Sequence, residues 1–244
     1  TGENVDDVST SGTLTFDDVD LADTHTISSA PNGGSYIGTF TAAIGTPATG
    51  AGSGSIDWGF TVNDSLLDSL NLGDQIVQSY DVEIDDGKGG TDTDTVTITM
   101  TGTNDAPIIT FDAGEDAGTV VEDDASNTVS GQLDGNDVDN GATETWVVVG
   151  GGAGTYGTLS VDGTGQWTYT LDNSNPLLED LDTGNSETET FTVELADEHG
   201  ATDTQVVNIS ITGNTDNELV LAVDDSGTVD EDGQDAPTSV SGDL

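Results

Sequence analysis

The chain has 244 residues and carries 48 acidic side chains against one basic side chain, Lys88, for a formal net charge of -47. With one lysine and no arginine it cannot displace counterions from nucleic acid, and it has nothing to hold it on an anionic membrane surface. No stretch of about 18 apolar residues is present to span a bilayer, and without cysteine no disulfide stabilises the fold.

Charge of this size normally accompanies disorder. Against that, the acids are spread along the whole chain, apolar residues alternate with polar ones, and three tryptophans sit within the alternating segments. There are 36 aspartates to 12 glutamates, and 33 glycines, the composition of many short strands joined by acid-lined turns. Repulsion among the carboxylates destabilises a compact state unless cations neutralise part of it.

In chain order, Glu3 falls in a turn that follows a mostly missing first strand. Period-two alternation then predicts strands over 11–16, 25–30, 36–43, 55–62, 76–84 and 92–101. A long loop, GTPATGAGSG at 45–54, separates two of them. Leucines at helical spacing in 63–74 predict a single helical turn at the end of the unit. The segment TGTNDAP at 101–107 closes it with Asn104, Asp105 and the stiff Pro107.

The pattern then repeats. SGTLTFDDVD at 11–20 returns as SGQLDGNDVD at 130–139, 119 residues later, and Glu3 and Glu122 share that offset. WGFTVNDS at 58–65 matches WTYTLDNS at 167–174, and TGTNDAP matches TGNTDNE at 212–218, now 111 residues later because a tight turn at 162–165 replaces the long loop. Residues 117–122 supply the first strand in the second unit, and 173–185 predict a second helical turn. SGDL at 241–244 starts the pattern a third time. The expected organisation is a first unit over 1–107, a second over 108–218 and the start of a truncated third over 219–244. With no initiator methionine and no signal segment, the chain is expected to be part of a longer tandem array. Seven short strands per roughly 110 residues predict an all-β fold of tandem immunoglobulin-like antiparallel sandwiches.

The stretches GTYGTLSVDGTGQWTYTLDNS, TETFTVELADEHGATDTQVVNISITG and TVTITMTGTNDAP resemble the VCBS repeat, a cadherin-like module arrayed in giant bacterial surface adhesins of the RTX class. The resemblance spans almost the whole chain. It implies a calcium-dependent extracellular extender that serves cell adhesion and biofilm formation at the bacterial cell surface, exported by type I secretion. The implied partners are neighbouring repeats of the same chain, with glycans met through other domains, no membrane insertion and a monomeric state. Repeat two departs from the pattern where Glu218 replaces the linker proline, and repeat one departs in its long loop.

The acids fit this reading chemically. Calcium takes six to eight oxygens at about 2.3–2.6 Å, from carboxylates, amides, backbone carbonyls and water. Asp18-Val19-Asp20 recurs as Asp137-Val138-Asp139 directly after a strand, so each pair can present two carboxylates to one ion. Sandwich topology brings the loop holding Asp137 and Asp139, the loop holding Asp197 and the linker residues Asn104 and Asp105 to one end of repeat two. Glu3 and Asp74 are expected to face that linker from repeat one. The equivalent residues of the other ends, Asp18, Asp20 and Asp86 at one and Glu122 and Asp216 at the other, complete the candidate ligands. An Asx turn at Asn104-Asp105 that needs no ion is the simpler alternative. Magnesium, which keeps its waters and works with phosphates, fits less well.

His25 and His199 fall at unmatched positions and are expected to be loop residues, a poor zinc site without cysteine. Trp58 and Trp167 share one strand position, which favours core packing over a sugar platform. A glycan- or ligand-binding module using the 45–54 loop is the alternative function. Hydrolysis by a carboxylate pair is a third, but so many acids produce pairs by chance. No nucleophile pairing, phosphate loop or dinucleotide fingerprint is present, so no enzyme is expected.

Overall fold

The computed structural model describes residues 6–20, 22–49, 52–179 and 181–214. Glu3, Asp216 and the start of the third repeat lie outside the described residues.

Strands β1 (Asp7–Asp17), β2 (Thr26–Pro31), β3 (Thr39–Thr46), β4 (Ser53–Asn63), β5 (Gln75–Asp85) and β6 (Thr91–Thr101) form two facing three-stranded sheets, in the orders β1-β4-β3 and β2-β5-β6. All of their pairings are antiparallel. In β6 every second residue from Val96 to Met100 is buried while the threonines between them face solvent, the mark of a sheet with one wet face. Ile56, Phe60, Val62, Tyr80, Val82, Val96, Ile98 and Met100 make the core between these sheets.

Past the linker come β7 (Ile108–Thr110), β8 (Ala117–Val121), β9 (Thr128–Gln132), β10 (Asp134–Asn136), β11 (Thr145–Val148), β12 (Gly157–Val161), β13 (Gln166–Leu171), β14 (Ser186–Ala196) and β15 (Thr202–Thr212). The sheets are ordered β12-β13-β9 and β11-β14-β15-β8, with β7 and β10 as a separate pair. A second core, centred on Trp167, Tyr169, Leu195 and Ile209, shares no residue with the first. The fold is therefore all-β, built as tandem sandwiches.

One pairing departs from the antiparallel expectation: β8 lies parallel to β15, from Ala117 beside Asn208 to Val121 beside Thr212. β8 begins halfway along β15, and the two finish together at the end away from the linker, where the Glu122 amide donates to the Thr212 carbonyl at 2.9 Å. The chain first pairs as β7 with β10 near the linker and then continues along the second half of β15 as β8, in the same direction as β15.

The leucine segments differ from each other. Asp64–Leu66 forms one 3-10 turn, capped by the Asn63 side chain accepting from the Ser65 amide. In 172–181 no helix forms among the described residues, and Pro176 interrupts with its missing amide donor. Successive turns there, Asn175 to Asp172, Leu178 to Asn175 and Leu181 to Leu178, still seat Leu178 fully inside the core.

The recurring Ser-Gly has a packing cause. A Cβ on Gly131 would lie 2.6 Å from Trp167 Cζ2, and one on Gly12 would lie 2.5 Å from Trp58 Cζ2. Each indole lies close against a bare backbone that has no room for a Cβ, which is why tryptophan and glycine recur together. Trp167 is 0% exposed and donates its indole N–H to the Glu115 carbonyl at 2.7 Å. Trp167→Ala is expected to destabilise the second sandwich by about 3–5 kcal/mol, read as a lower urea midpoint by far-ultraviolet circular dichroism. A loss below about 1 kcal/mol would show that the site collapses around the missing ring.

Candidate metal site at the linker

The linker is seated by side chains of the second sandwich. Asn104 Nδ2 donates to Asp197 Oδ2 at 2.7 Å, and the Asp105 amide donates to Asp139 Oδ2 at 3.0 Å. Asn104 Nδ2 also donates to the Asp105 carbonyl at 2.8 Å, which is not the Asx turn of the simpler reading, where the side-chain oxygen would accept from the amide two residues on. Pro107 is buried, and just beyond it the Ile109 amide donates to Asp203 Oδ2 at 2.8 Å while Ile109 enters the second core.

Turn chemistry presents the acids. Asp197 Oδ1 accepts from the His199 and Ala201 amides at 2.8 and 2.9 Å, the hairpin turn's own bonds, which leaves Oδ2 for Asn104. Burial acts to raise the Asp197 pKa, but the Asn104 side chain and the amides of Ala201, His199 and Gly200 outweigh it and hold the carboxyl below its usual range. Asp137 Oδ1 accepts from the Asp139 amide at 2.9 Å, so its other oxygen is directed away from the turn.

Three buried oxygens in this region have no hydrogen-bond partner: Asp137 Oδ2, Asp139 Oδ1 and Asn71 Oδ1. Asp139 is only 6% exposed. A buried acceptor without a donor costs about 1–3 kcal/mol, and more when charged. Asn71 belongs to the first sandwich and reaches across, donating to the Asn140 carbonyl at 3.0 Å, while the Asn140 amide donates to the Ser69 carbonyl at 3.3 Å. Among the described residues, no three His, Asp or Glu side chains are already gathered into a metal cage. The donors at hand are hard oxygens of carboxylates, an amide and backbone carbonyls, the set calcium takes.

The other sequence candidates separate into three places. Asp74 lies at the joint through its backbone, its amide on the Asn71 carbonyl and its carbonyl on the Gly102 amide, with its side chain exposed. Asp18, Asp20 and Asp86 sit together at the far end of the first sandwich. Asp86 Oδ1 accepts from the Lys88 and Gly90 amides at 2.7 and 2.9 Å, which hold its pKa below the usual range in the way Asp197 is held. Glu122, 2% exposed, is at the exit of the second sandwich, where its Oε2 accepts from the Asn214 amide at 3.2 Å.

His25 lies in the loop just before β2, as expected, but its side chain is 5% exposed, tilted against Phe16 at 4.9 Å and bonded through Nε2 to Asp18 Oδ2 at 2.8 Å. It stands 119 residues before Glu144, so one repeat places an imidazole where the other places a carboxylate. Asn71 and Asn140 were missed because attention to carboxylates passes over amide and backbone oxygens. The sugar-platform idea fails for Trp167, which is wholly buried.

The described residues form an all-β fold of sandwiches with an acid-lined end at the linker, and part of the chain matches a family model. Residues 104–213 match the family model described as the bacterial cadherin-like domain, a span that opens on Asn104 and covers the second sandwich. Among solved structures the chain is similar to PcdhgB3 EC1-4, at 16% identity over 82% of this chain and 45% of that one, with a TM-score of 0.40. It is also similar to mouse cadherin-23 EC22-24, at 17% identity over 72% and 54%, TM-score 0.39, and to Drosophila N-cadherin EC1-4, at 16% over 74% and 41%, TM-score 0.39. The chain thus spans about half the length of these structures. No curated protein matches its sequence. No helix among the described residues is long and apolar enough to cross a membrane.

Glu144 gives a test of the site's electrostatics. Burial first, and the Asp137 carboxylate second, raise its pKa. A carboxyl whose folded pKa is raised holds its proton more tightly folded than unfolded, so it costs stability above that pKa and the cost disappears as pH falls through it. Glu144→Gln is therefore expected to raise the urea midpoint at pH 7 in the presence of chelator, with the gain closing below about pH 4. Equal midpoints at pH 7 would show that solvent screens the pair.

Proposed function

We propose that the chain is a calcium-rigidified spacer from a bacterial surface adhesin of the VCBS and RTX type, in which a metal at residues 104–105 fixes one sandwich against the next. The units are 1–107 and 108–218, with 219–244 beginning another. The observation that carries this reading is Asp139: a nearly buried carboxylate with one oxygen on the linker amide and the other on nothing. Asp105, Asp137, Asp197 and the amide oxygens of Asn71 and Asn104 are the remaining ligand candidates, with Glu3 and Asp74 from the first unit. Asp18, Asp20 and Asp86 at one outer end, and Glu122 and Asp216 at the other, serve the neighbouring joints.

When bound, the ion supplies positive charge and coordination that replace the missing donors. The residues supply the rest. Asn104 and the Asp105 amide hold the linker on the second sandwich, Asn71 and Asn140 tie the two units, and Pro107 limits the backbone. In a calcium-poor cytosol the carboxylates repel and keep the chain loose for type I export. In a calcium-rich exterior, binding free energy becomes folding free energy. The role is mechanical, without catalysis, and extends an adhesive element involved in biofilm formation away from the cell surface.

Calorimetric calcium titration with solution scattering tests this. At a hundredfold excess over Kd each site is expected to add about 2.7 kcal/mol of stability, and chelator is expected to lower the melting temperature and let the units bend. Asp139→Asn and Asp105→Ala are expected to weaken calcium at least tenfold and broaden the bend. Asp94→Ala, at an exposed strand position, is expected to change stability by no more than about 0.5 kcal/mol. Identical calcium affinities for all three variants would remove the metal joint.

A further inference from the structure

β14 is eleven residues long, Ser186–Ala196, but β11 pairs only with its last four, Val193–Ala196. In the first sandwich the equivalent strand is better covered. There β2 pairs with β5 from Asp85 to Tyr80, and the Asn32 amide and Tyr36 hydroxyl then continue onto the Ser79 carbonyl at 2.8 and 2.7 Å. Thr190, 111 residues after Ser79, receives no such bond among the described residues.

The direction of the free groups can be read from the pairing. Asn208 stands opposite Thr190 but gives its amide to Asp116, on the side of β8. In an antiparallel pair both members then turn their backbone groups outward, so Thr190 presents N–H and C=O at the bared edge. By strand alternation Thr188 and Thr192 present theirs on the same side.

The two repeats have equal spacing here, so the difference is conformational. Pro31-Asn32-Gly33 is replaced by Gly150-Gly151-Gly152, all three with left-handed φ, at 82°, 87° and 75°. They carry the chain across to the other sheet, where the Gly152 carbonyl accepts from the Leu159 amide and the Gly154 amide donates to the Gly157 carbonyl, both at 2.8 Å. Between that displaced segment and β14 lies a groove of about 760 Å³ with Gly150, Gly152 and Gly154 on one wall and Thr188 and Thr190 on the other. Glu189 fixes the far wall, accepting from the Thr155 amide, from the Tyr156 amide at 3.0 Å and from the Tyr169 hydroxyl at 2.6 Å. Those bonds occupy its carboxylate, whereas Glu187 lines the groove with its side chain exposed.

We propose that the bared edge of β14, residues 186–192, is a strand-addition site for an extended cationic peptide segment of another protein. The edge supplies backbone donors and acceptors in register, and the glycine wall leaves room for an added strand. Charge selects the partner. A second copy would bring another chain of net charge -47, whereas lysine or arginine in an extended segment meets Glu187.

The probe is a heptapeptide of alternating threonine and valine with a lysine at each end, added to the calcium-loaded full chain. Amides of Thr188, Thr190 and Thr192 are expected to exchange hydrogen at least tenfold more slowly when it binds. The same peptide methylated on its backbone nitrogens keeps the charge and loses the strand bonds, and is expected to bind at least tenfold more weakly. Glu187→Lys is expected to weaken the unmodified peptide at least fivefold. Equal affinity for both peptides would reduce the effect to bulk attraction and overturn the proposal, as would protection located elsewhere. Concentration-dependent dimers that protect the same amides without peptide would assign the edge to a second copy and overturn it too.

Discussion

Repulsion between like charges is the constraint under which the rest of the structure operates, because Lys88 is the one fixed cation among 48 acids. Its effects are softened locally. Asp86 is held below the usual pKa range by the Lys88 and Gly90 amides, Asp162 by the Thr164 hydroxyl and then amides of its turn, Asp172 by the Ser174 hydroxyl and then the Ser174 amide, and Asp197, against its burial, by the Asn104 side chain and then amides of its turn. Amide and hydroxyl dipoles thus do inside each turn what lysines do in ordinary proteins. The turns that make the hairpins also gather acids at the ends of the sandwiches, with one oxygen each of Asp86, Asp162 and Asp172 already on donors of its own turn.

At the linker this arrangement reaches its limit. Asp197 spends both oxygens on protein donors, but Asp137 and Asp139 each retain a buried oxygen with no donor in reach. Glu144, raised by burial first and by the Asp137 carboxylate second, shifts opposite to Asp197. The joint is therefore held by good hydrogen bonds around a pocket of poorly compensated charge. The unpaired oxygens are hard donors of the kind that calcium takes.

Most of the strand order was legible in the sequence, since alternation of Thr with Val or Ile is a direct consequence of a sheet wet on one face, as β6 shows. The recurrence of Trp beside Gly was also legible, although its cause, an indole close against bare backbone, is visible only in three dimensions. What could not be read was pairing direction: the pattern of Ala117–Val121 is the same whether it runs parallel or antiparallel to its neighbour. Nor could the role of His25, because its partner is fixed by the fold of the loop and not by spacing. Asn71 was hidden for a different reason, being one ordinary amide among many whose position at the joint depends on the turn between Leu67 and Asp74.

The parallel β8–β15 pairing has a consequence for a chain under tension. A pull transmitted through the linker at one end and through Gly213 at the other draws β8 and β15 of the second sandwich in opposite directions along their common axis. The five residue pairs between Ala117–Val121 and Asn208–Thr212 then bear the load together, in shear, whereas an antiparallel pair pulled from one end would peel apart a bond at a time. The direction in which β8 happens to run thus decides whether a sandwich yields gradually or holds until several bonds break at once.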